Sequence, residues 1–379
     1  MDVTGDAASI RYKNNMTTSW TKSLCLAAVL GTAFSAQATE LNVEELTTGL
    51  SHPWGMAFLP DGKMVITERA GNIRIFDKTA GLSAPLKNVP EVAAVNQGGL
   101  LGITADPAFA DNQTIYFCYS KPGEGGSSSS VSKAKIAGDN LTDVETIFSA
   151  SPLVDNGFHF GCRVAFDNEG HLFITLGDRY KYMKEAQNTD NHLGTVVRIW
   201  PDGSVPEDNP FTKGDAPQVY SYGHRNVQGL TVHPQTGEVW AMEHGPKGGD
   251  EVNLLGKGNN YGWPLITYGI DYSGDIISDK TEMEGMEQPV VYWDPSIAPS
   301  GMVFYNGDKF PEWKGDLLVG SLKFTHLRHI DMEGGKPGEQ TEYLRDRNER
   351  IRDVIEGPDG YLYLLTDTPE GKLLKVSPE

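Results

Sequence analysis

The chain has 379 residues, with 51 acidic against 32 basic side chains and a formal net charge of −19. That balance argues against nucleic acid or an anionic membrane as partner, and the length suits one large all-β domain or two ordinary ones. The 43 glycines and 22 prolines favour a turn-rich β architecture over a helical one.

At the N-terminus, Lys13 and Lys22 precede an apolar run from Leu24 to Phe34, followed by Ala36-Gln37-Ala38. A basic start, a short apolar core and an A-x-A site make a secretory signal peptide. Residues 1–38 are therefore expected to be removed, with Met16 as an alternative start, leaving residues 39–379 as the mature domain. The run is shorter than the roughly 20 residues a transmembrane helix needs, and no later stretch reaches that length, so an integral membrane protein is not expected. Cys25 lies in the apolar run without a lipoprotein context. Cys118 and Cys162 remain for an oxidising compartment. They either pair or are buried singly as small apolar residues, and the sequence leaves both open.

The rest of the chain is governed by repetition. A unit of Gly-apolar-x-apolar, a Pro/Asp/Asn-Gly turn and an alternating apolar strand recurs at Trp54 to Glu68, Leu101 to Pro107, Arg163 to Ile174, Gly229 to Pro234, Ser300 to Tyr305 and Arg352 to Leu364. Each copy reads as a hairpin, and a spacing of roughly 45 to 70 residues leaves room for a four-stranded blade with its loops. The expectation is an all-β, six-bladed β-propeller of antiparallel blades, with its active site at one mouth of the central channel. No WD dipeptide recurs from repeat to repeat, which argues against the WD40 class. The Gly-Ser tract from Gly123 to Ser130 reads as a surface hairpin tip. Leu41 to Leu50 is predicted to supply a strand to the blade built by the C-terminal residues, closing the ring.

In a propeller, the loops entering the inner strands converge on one mouth. Those positions hold Gln97, His159, Arg225 with Asn226, Ser296, Lys323, and Arg350 with Arg352. His159 stands just before a strand, and Asp178 ends the next strand of the same hairpin, so the two can meet. A histidine oriented by a buried aspartate is a general base; alone, His159 would read as a solvated loop residue. Arg225, Lys323, Arg350 and Arg352 around one mouth in so acidic a chain suit a polyanionic ligand. For any single arginine, a salt bridge to a neighbouring acid is the better reading. The segment from Glu243 to Asn253 is a tight Gly/Pro turn followed by acids, whose free carbonyls and carboxylates suit Ca²⁺. His244 has no second His or Cys at metal-ligand spacing, which disfavours zinc. No G-x-S-x-G, Walker A or Rossmann fingerprint is present.

Several segments together resemble the soluble pyrroloquinoline quinone (PQQ)-dependent sugar dehydrogenases, and among them the bacterial periplasmic aldose sugar dehydrogenases. The carriers are Gln97 to Gly102, His159 to Arg163, Gly223 to Gly229, Glu243 to Pro246, Asn260 to Pro264, Ala298 to Ser300 and Arg350 to Val354, spread over the whole mature chain. The resemblance implies a periplasmic quinoprotein oxidoreductase, monomer or homodimer. It would oxidise the C1 hydroxyl of aldoses to the lactone and pass electrons to an external quinone or redox protein. His159 then matches the general base and Asp178 its orienting carboxylate. Gln97, Arg225 and Asn226 match groups around the quinone carbonyls and the substrate. Lys323, Arg350 and Arg352 match the cations that hold the PQQ carboxylates, and Ser296 a PQQ-contacting hydroxyl. The carbonyls of Gly245 and Pro246 match ligands of a Ca²⁺ that also touches PQQ. Glu251, Tyr261 and Asp271 match a second, structural Ca²⁺ site. The chain is shorter than the glucose-specific members, implying a more open mouth and broad aldose acceptance. Cys162, beside the catalytic motif, has no role in this scheme. Two rivals are a six-bladed Ca²⁺ lactonase, which would not need the Lys/Arg trio, and a binding propeller without chemistry, which would show decay at His159, Arg225 or the trio.

Overall fold

Alternating apolar residues broken by glycine-bearing turns fold into 24 strands, described for residues 39–379 in a computed structural model. The expected signal segment, residues 1–38, lies outside the described residues. The strands form six four-stranded antiparallel sheets. Their inner strands, opening blades 1 to 6 in order, are Pro53–Phe58, Leu100–Ala105, Gly161–Phe166, Val227–Val232, Pro299–Phe304 and Ile351–Glu356. Consecutive inner strands touch around the whole ring, the sixth against the first, which makes a closed six-bladed propeller. Each of the six sequence repeats supplies the inner strand of one blade. Ring closure is as expected: Leu41–Leu50 is the outer strand of blade 6, antiparallel to Gly371–Pro378, with Leu41 opposite Pro378 and Leu50 opposite Gly371.

The glycine of the repeat has a steric cause. A Cβ on Gly102 would lie 2.4 Å from the Cys162 carbonyl oxygen of the next inner strand, and one on Gly301 2.3 Å from Asp353 Oδ1. The inner strands approach too closely at the axis for side chains there. Gly55, Gly102, Gly229 and Gly301 share this position, directly before the residue that faces the middle of the second strand. Blades 3 and 6 carry Arg163 and Asp353 instead.

Apolar side chains gather in six clusters, one between each pair of neighbouring blades. Between blades 1 and 2, for instance, Val65 and Ile73 pack on Ile103 and Phe117. Core formation and blade assembly are thus the same event. Between blades 2 and 3 the packing includes a disulfide: Cys118 and Cys162 are bonded, with Cα atoms 5.4 Å apart, and both are fully buried. Pairing, one of the two open alternatives, is the outcome.

The Gly-Ser tract departs from expectation. Only Glu124 and Gly125 form the tip between strands Thr114–Gly123 and Gly126–Ala137, and Ser127 to Ser130 are buried strand residues. Their small side chains let the loop at 150–160 lie across the strand. The Ser127 amide donates to the Val154 carbonyl at 3.1 Å, and Ser129 Oγ donates to the Phe160 carbonyl at 2.7 Å. Among the described residues, no helix is long and apolar enough to cross a membrane.

Candidate active site

His159 occupies the loop entering the inner strand of blade 3, and Asp178 follows the second strand, Leu172–Leu176, across Gly177. Antiparallel pairing sets Gly161 opposite Leu176, which carries the two side chains to the same end of the hairpin. His159 Nδ1 lies 2.6 Å from Asp178 Oδ1, and both residues are buried. Asp178 is itself fixed: Oδ1 accepts the Tyr180 amide at 2.7 Å and Oδ2 accepts Trp263 Nε1 at 2.8 Å. The carboxylate assigns the ring proton to Nδ1 and leaves the Nε2 lone pair free. Burial pulls the imidazole pKa below its ordinary value, the Arg225 charge adds to this, and Asp178 opposes both.

Neighbouring blades supply the rest. The His159 amide donates to Gln97 Oε1 from blade 2 at 2.9 Å, and the Gly161 amide to Asn226 Oδ1 from blade 4 at 3.2 Å. The Asp178 amide donates to the Arg225 carbonyl at 2.8 Å. Gln97, His159, Asp178, Arg225 and Asn226, drawn from three blades, are therefore brought together as expected.

Beside them is a cavity of about 210 Å³ lined by Gln97, Asn226, Gln228 and His244, and by the guanidinium-bearing Arg69, Arg350 and Arg352 with one carboxylate, Asp367. Asp367 Oδ2 accepts Arg350 Nη2 at 3.0 Å and Arg352 Nη2 at 2.8 Å, while Oδ1 meets His52 Nδ1 at 3.0 Å. These cations hold the Asp367 carboxyl far below the usual carboxylate range, against the opposing effect of burial. The neighbouring-acid reading of Arg350 and Arg352 is thus correct as far as Asp367, but one carboxylate cannot offset three guanidinium groups. Arg352 Nε, buried, has no hydrogen-bond partner among the described residues. An orphaned donor in a cation-rich cavity is what an absent polyanion leaves behind, so the donor set fits a polycarboxylate such as PQQ.

Ser296 and Lys323 are not brought into this cavity. Ser296 Oγ accepts the Ala298 amide at 3.2 Å, and exposed Lys323 places its Nζ 5.1 Å over the Phe324 ring.

Of the residues expected to ligate metal, Gly245 and Pro246 stand in the turn after the second strand of blade 4, and Glu251 in the strand that follows. Arg225 Nη1 donates to the Gly245 carbonyl at 2.7 Å and to that of His244 at 3.1 Å. A small cavity beside them is lined by Glu243, Gly245, Glu251, Tyr261 and Thr267 among others. Burial, with Glu243 and Asp250 close by, pushes the Glu251 carboxyl up to about 8, Asn253 opposing. Asn253 Oδ1 is buried and has no hydrogen-bond partner among the described residues. Two crowded carboxylates and an orphaned amide oxygen fit a hard cation taking oxygen ligands. The Tyr261 hydroxyl is committed to the Leu254 carbonyl at 2.6 Å, which leaves only its own carbonyl for such a role. Asp271 is not among the residues lining this cavity; it is half-buried, its Oδ1 accepting the Ser273 amide at 2.8 Å.

One arrangement mimics a nucleophilic triad. Ser221 Oγ lies 2.9 Å from His224 Nε2, and His224 Nδ1 lies 2.7 Å from Glu243 Oε1. Ser221 and His224 are fully buried, so no substrate reaches them. The relay orients Glu243, which accepts the Arg225 amide at 2.6 Å.

Sequence reasoning missed Arg69, Asp367, Gln228 and Trp263. Arg69 and Asp367 directly follow the second strands of blades 1 and 6, one position before the place that Asp178 holds in blade 3. Ends of second strands reach the mouth as surely as starts of first strands, and that register was the available signal.

The chain is similar over its length to known sugar dehydrogenases. Residues 50–375 match the family model for glucose/sorbosone dehydrogenase. The chain is 47% identical to aldose sugar dehydrogenase YliI of Escherichia coli K12 over 94% of this chain and 96% of that one. The crystal structure of the soluble aldose sugar dehydrogenase from E. coli in the apo-form superposes with a TM-score of 0.87 at 45% identity, covering 90% of this chain and 100% of that chain. The PQQ-bound form of the aldose sugar dehydrogenase from Streptomyces coelicolor superposes with a TM-score of 0.74 at 27% identity, covering 89% and 99%.

Proposed function

The chain belongs to the glucose/sorbosone dehydrogenase family, and from that membership we propose that it is a PQQ- and Ca²⁺-dependent aldose sugar dehydrogenase oxidising the C1 hydroxyl to the lactone. The observation that carries the reading is the buried His159–Asp178 pair at 2.6 Å beside a cavity with three guanidinium groups and an orphaned Arg352 Nε.

PQQ, when bound, would supply the hydride acceptor, and a Ca²⁺ held by the carbonyls of Gly245 and Pro246 would supply positive charge where negative charge develops. The protein does the rest. Arg352, Arg350 and Arg69 bind carboxylate groups, with Gln97, Asn226 and Gln228 as neutral partners. Lys323 and Ser296 lie outside this cavity, and each would have to turn from its present neighbour to join them. His159 Nε2 takes the proton of the C1 hydroxyl, and Asp178 stabilises the imidazolium that forms. Arg225 lies beside the base and holds the carbonyl turn. Glu251, with carbonyls such as that of Tyr261, and Asp271 after a movement of its loop, would hold a second, structural Ca²⁺.

The protein acts in the periplasm after export, passing electrons to an external acceptor. A buried Cys118–Cys162 disulfide supports an oxidising compartment.

The test strips the purified protein with chelator, restores Ca²⁺ and PQQ separately and together, and follows dye reduction with glucose, xylose, arabinose and maltose. Turnover only with both together supports the reading, and comparable rates across the panel support a broad pocket. Absence of PQQ binding sinks it.

A further inference from the structure

The loop that carries His159 has little regular structure to hold it. His159 and Gly161 lie in the left-handed region at φ +50° and +63°, where a non-glycine residue persists only if its surroundings impose it. Gln97, Asn226 and Ser129 each contribute one hydrogen bond here, and the group that makes several is Arg179, the residue after Asp178, itself at φ +55° and only 2% exposed. A buried cation normally sits on a carboxylate, but the partners of this guanidinium are backbone carbonyls. Nε donates to Phe158 O at 2.9 Å, Nη1 to Ser127 O at 2.8 Å, and Nη2 to Asn156 O. Its Cζ lies 3.8 Å over the Phe160 ring. Asn156 Nδ2 returns a bond to the Arg179 carbonyl at 2.8 Å. The residues immediately before and after His159 are thus both held by one planar group, which also reaches across to the third strand of blade 2.

We propose that Arg179 is the positioning residue of the catalytic base. Its fork fixes Asn156, Phe158 and Phe160 so that His159 Nε2 is aimed while Nδ1 stays on Asp178. The assignment rests on reading His159 as the base. The fork geometry matters as well as the charge: a lysine ammonium is a compact point donor and cannot span three carbonyls set around a plane. The propeller itself does not depend on this clamp, since blades 2 and 3 are already joined by the Cys118–Cys162 bond and a shared apolar cluster.

Arg179→Lys and Arg179→Met, each loaded with PQQ and Ca²⁺, test the assignment. Both should lower kcat by about 10- to 100-fold, with sugar KM and PQQ affinity changed by less than about threefold, because aim is lost and binding is not. In the metal-free, cofactor-free protein, amide exchange should speed up at Gly157 to Phe160 while the blade strands keep their protection. Unchanged exchange in that loop, or kcat preserved in both variants, overturns the proposal. So does exchange raised evenly across all blades, which would make Arg179 a general stabiliser. The exchange measurement needs no turnover. A wild-type protein without dehydrogenase activity would therefore refute the function proposed above while still deciding whether the clamp exists.

Discussion

Arg163 and Asp353 hold the same position of the six-fold repeat in blades that face each other across the ring, and Arg163 Nη1 lies 2.8 Å from Asp353 Oδ1. The four glycines at the remaining equivalent positions leave room for this contact on the axis. Asp353 Oδ2 also accepts the Met56 amide at 3.1 Å, and Arg163 Nε donates to the Gln228 carbonyl at 3.1 Å while its Cζ sits 4.3 Å over the Trp54 ring. Trp54 and Gln228 line the cation-rich cavity, and the pair itself borders a second cavity of about 590 Å³ toward the other mouth. The ion pair is therefore a partition in the channel as well as a cross-brace.

Removing one partner should leave a buried charge stranded. Asp353→Ala is expected to destabilise the domain by about 3–5 kcal/mol, and a paired apolar replacement, Arg163→Met with Asp353→Leu, to recover much of the loss. Urea denaturation midpoints of the two variants check this; equal losses would mean the charges are not coupled.

Turnover should depend on His159 far more than cofactor binding does. His159→Gln is expected to reduce kcat by about 10²–10⁴-fold with PQQ affinity close to wild type, measured by titration of the stripped protein. Loss of both together would make the residue structural.

The acid limb of the pH–rate profile should lie below the ordinary imidazole value. The base works neutral, and burial with Arg225 lowers its pKa, so activity persists as pH falls past 6.5 and disappears only on passing the lowered value. Asp178→Asn removes the group that opposes the shift, so any residual activity should extend further to acid. A kcat/KM profile of both proteins decides it, and an acid limb above the ordinary value contradicts the assignment.

Losing Arg352 should weaken cofactor binding rather than the proton step. Arg352→Met removes a charge-assisted partner worth about 1.5–3 kcal/mol, so PQQ affinity should fall by about 10- to 100-fold. Equilibrium titration checks this, and unchanged affinity would place the polyanion elsewhere.

Calcium should stabilise the folded protein through the crowded acids. At a concentration about 100 times its Kd the added stability is about 2.7 kcal/mol, read as a rise in melting temperature that Glu251→Gln should largely abolish. A rise retained in that variant would move the ion to another site.

The architecture was legible in the sequence because the glycine of the repeat answers a local constraint, the crowding of inner strands at the axis. His159 with Asp178 was legible for a similar reason: antiparallel pairing fixes where the two ends of one hairpin meet. Arg179, Arg69 and Asp367 were not, since their partners come from loops and neighbouring blades and no short motif encodes that packing. The buried serines at 127–130 were misread because composition describes a flexible tip, while their burial is decided by a loop about 30 residues further on. Ser296 and Lys323 stand at the right loops, but their side chains point to other partners.

The strand Leu41–Leu50 has a consequence for binding. Its partner, Gly371–Pro378, stands at the opposite end of the propeller's strand order, so the first and last strands of the domain must meet. The seam they close runs beside the cation-rich cavity: His52 and Arg69 of blade 1 face Arg350, Arg352 and Asp367 of blade 6, and the His52 amide donates to the Thr368 carbonyl at 2.9 Å. Until they meet, the chain owns no complete binding pocket. A ligand that spans this seam therefore reports a shut ring.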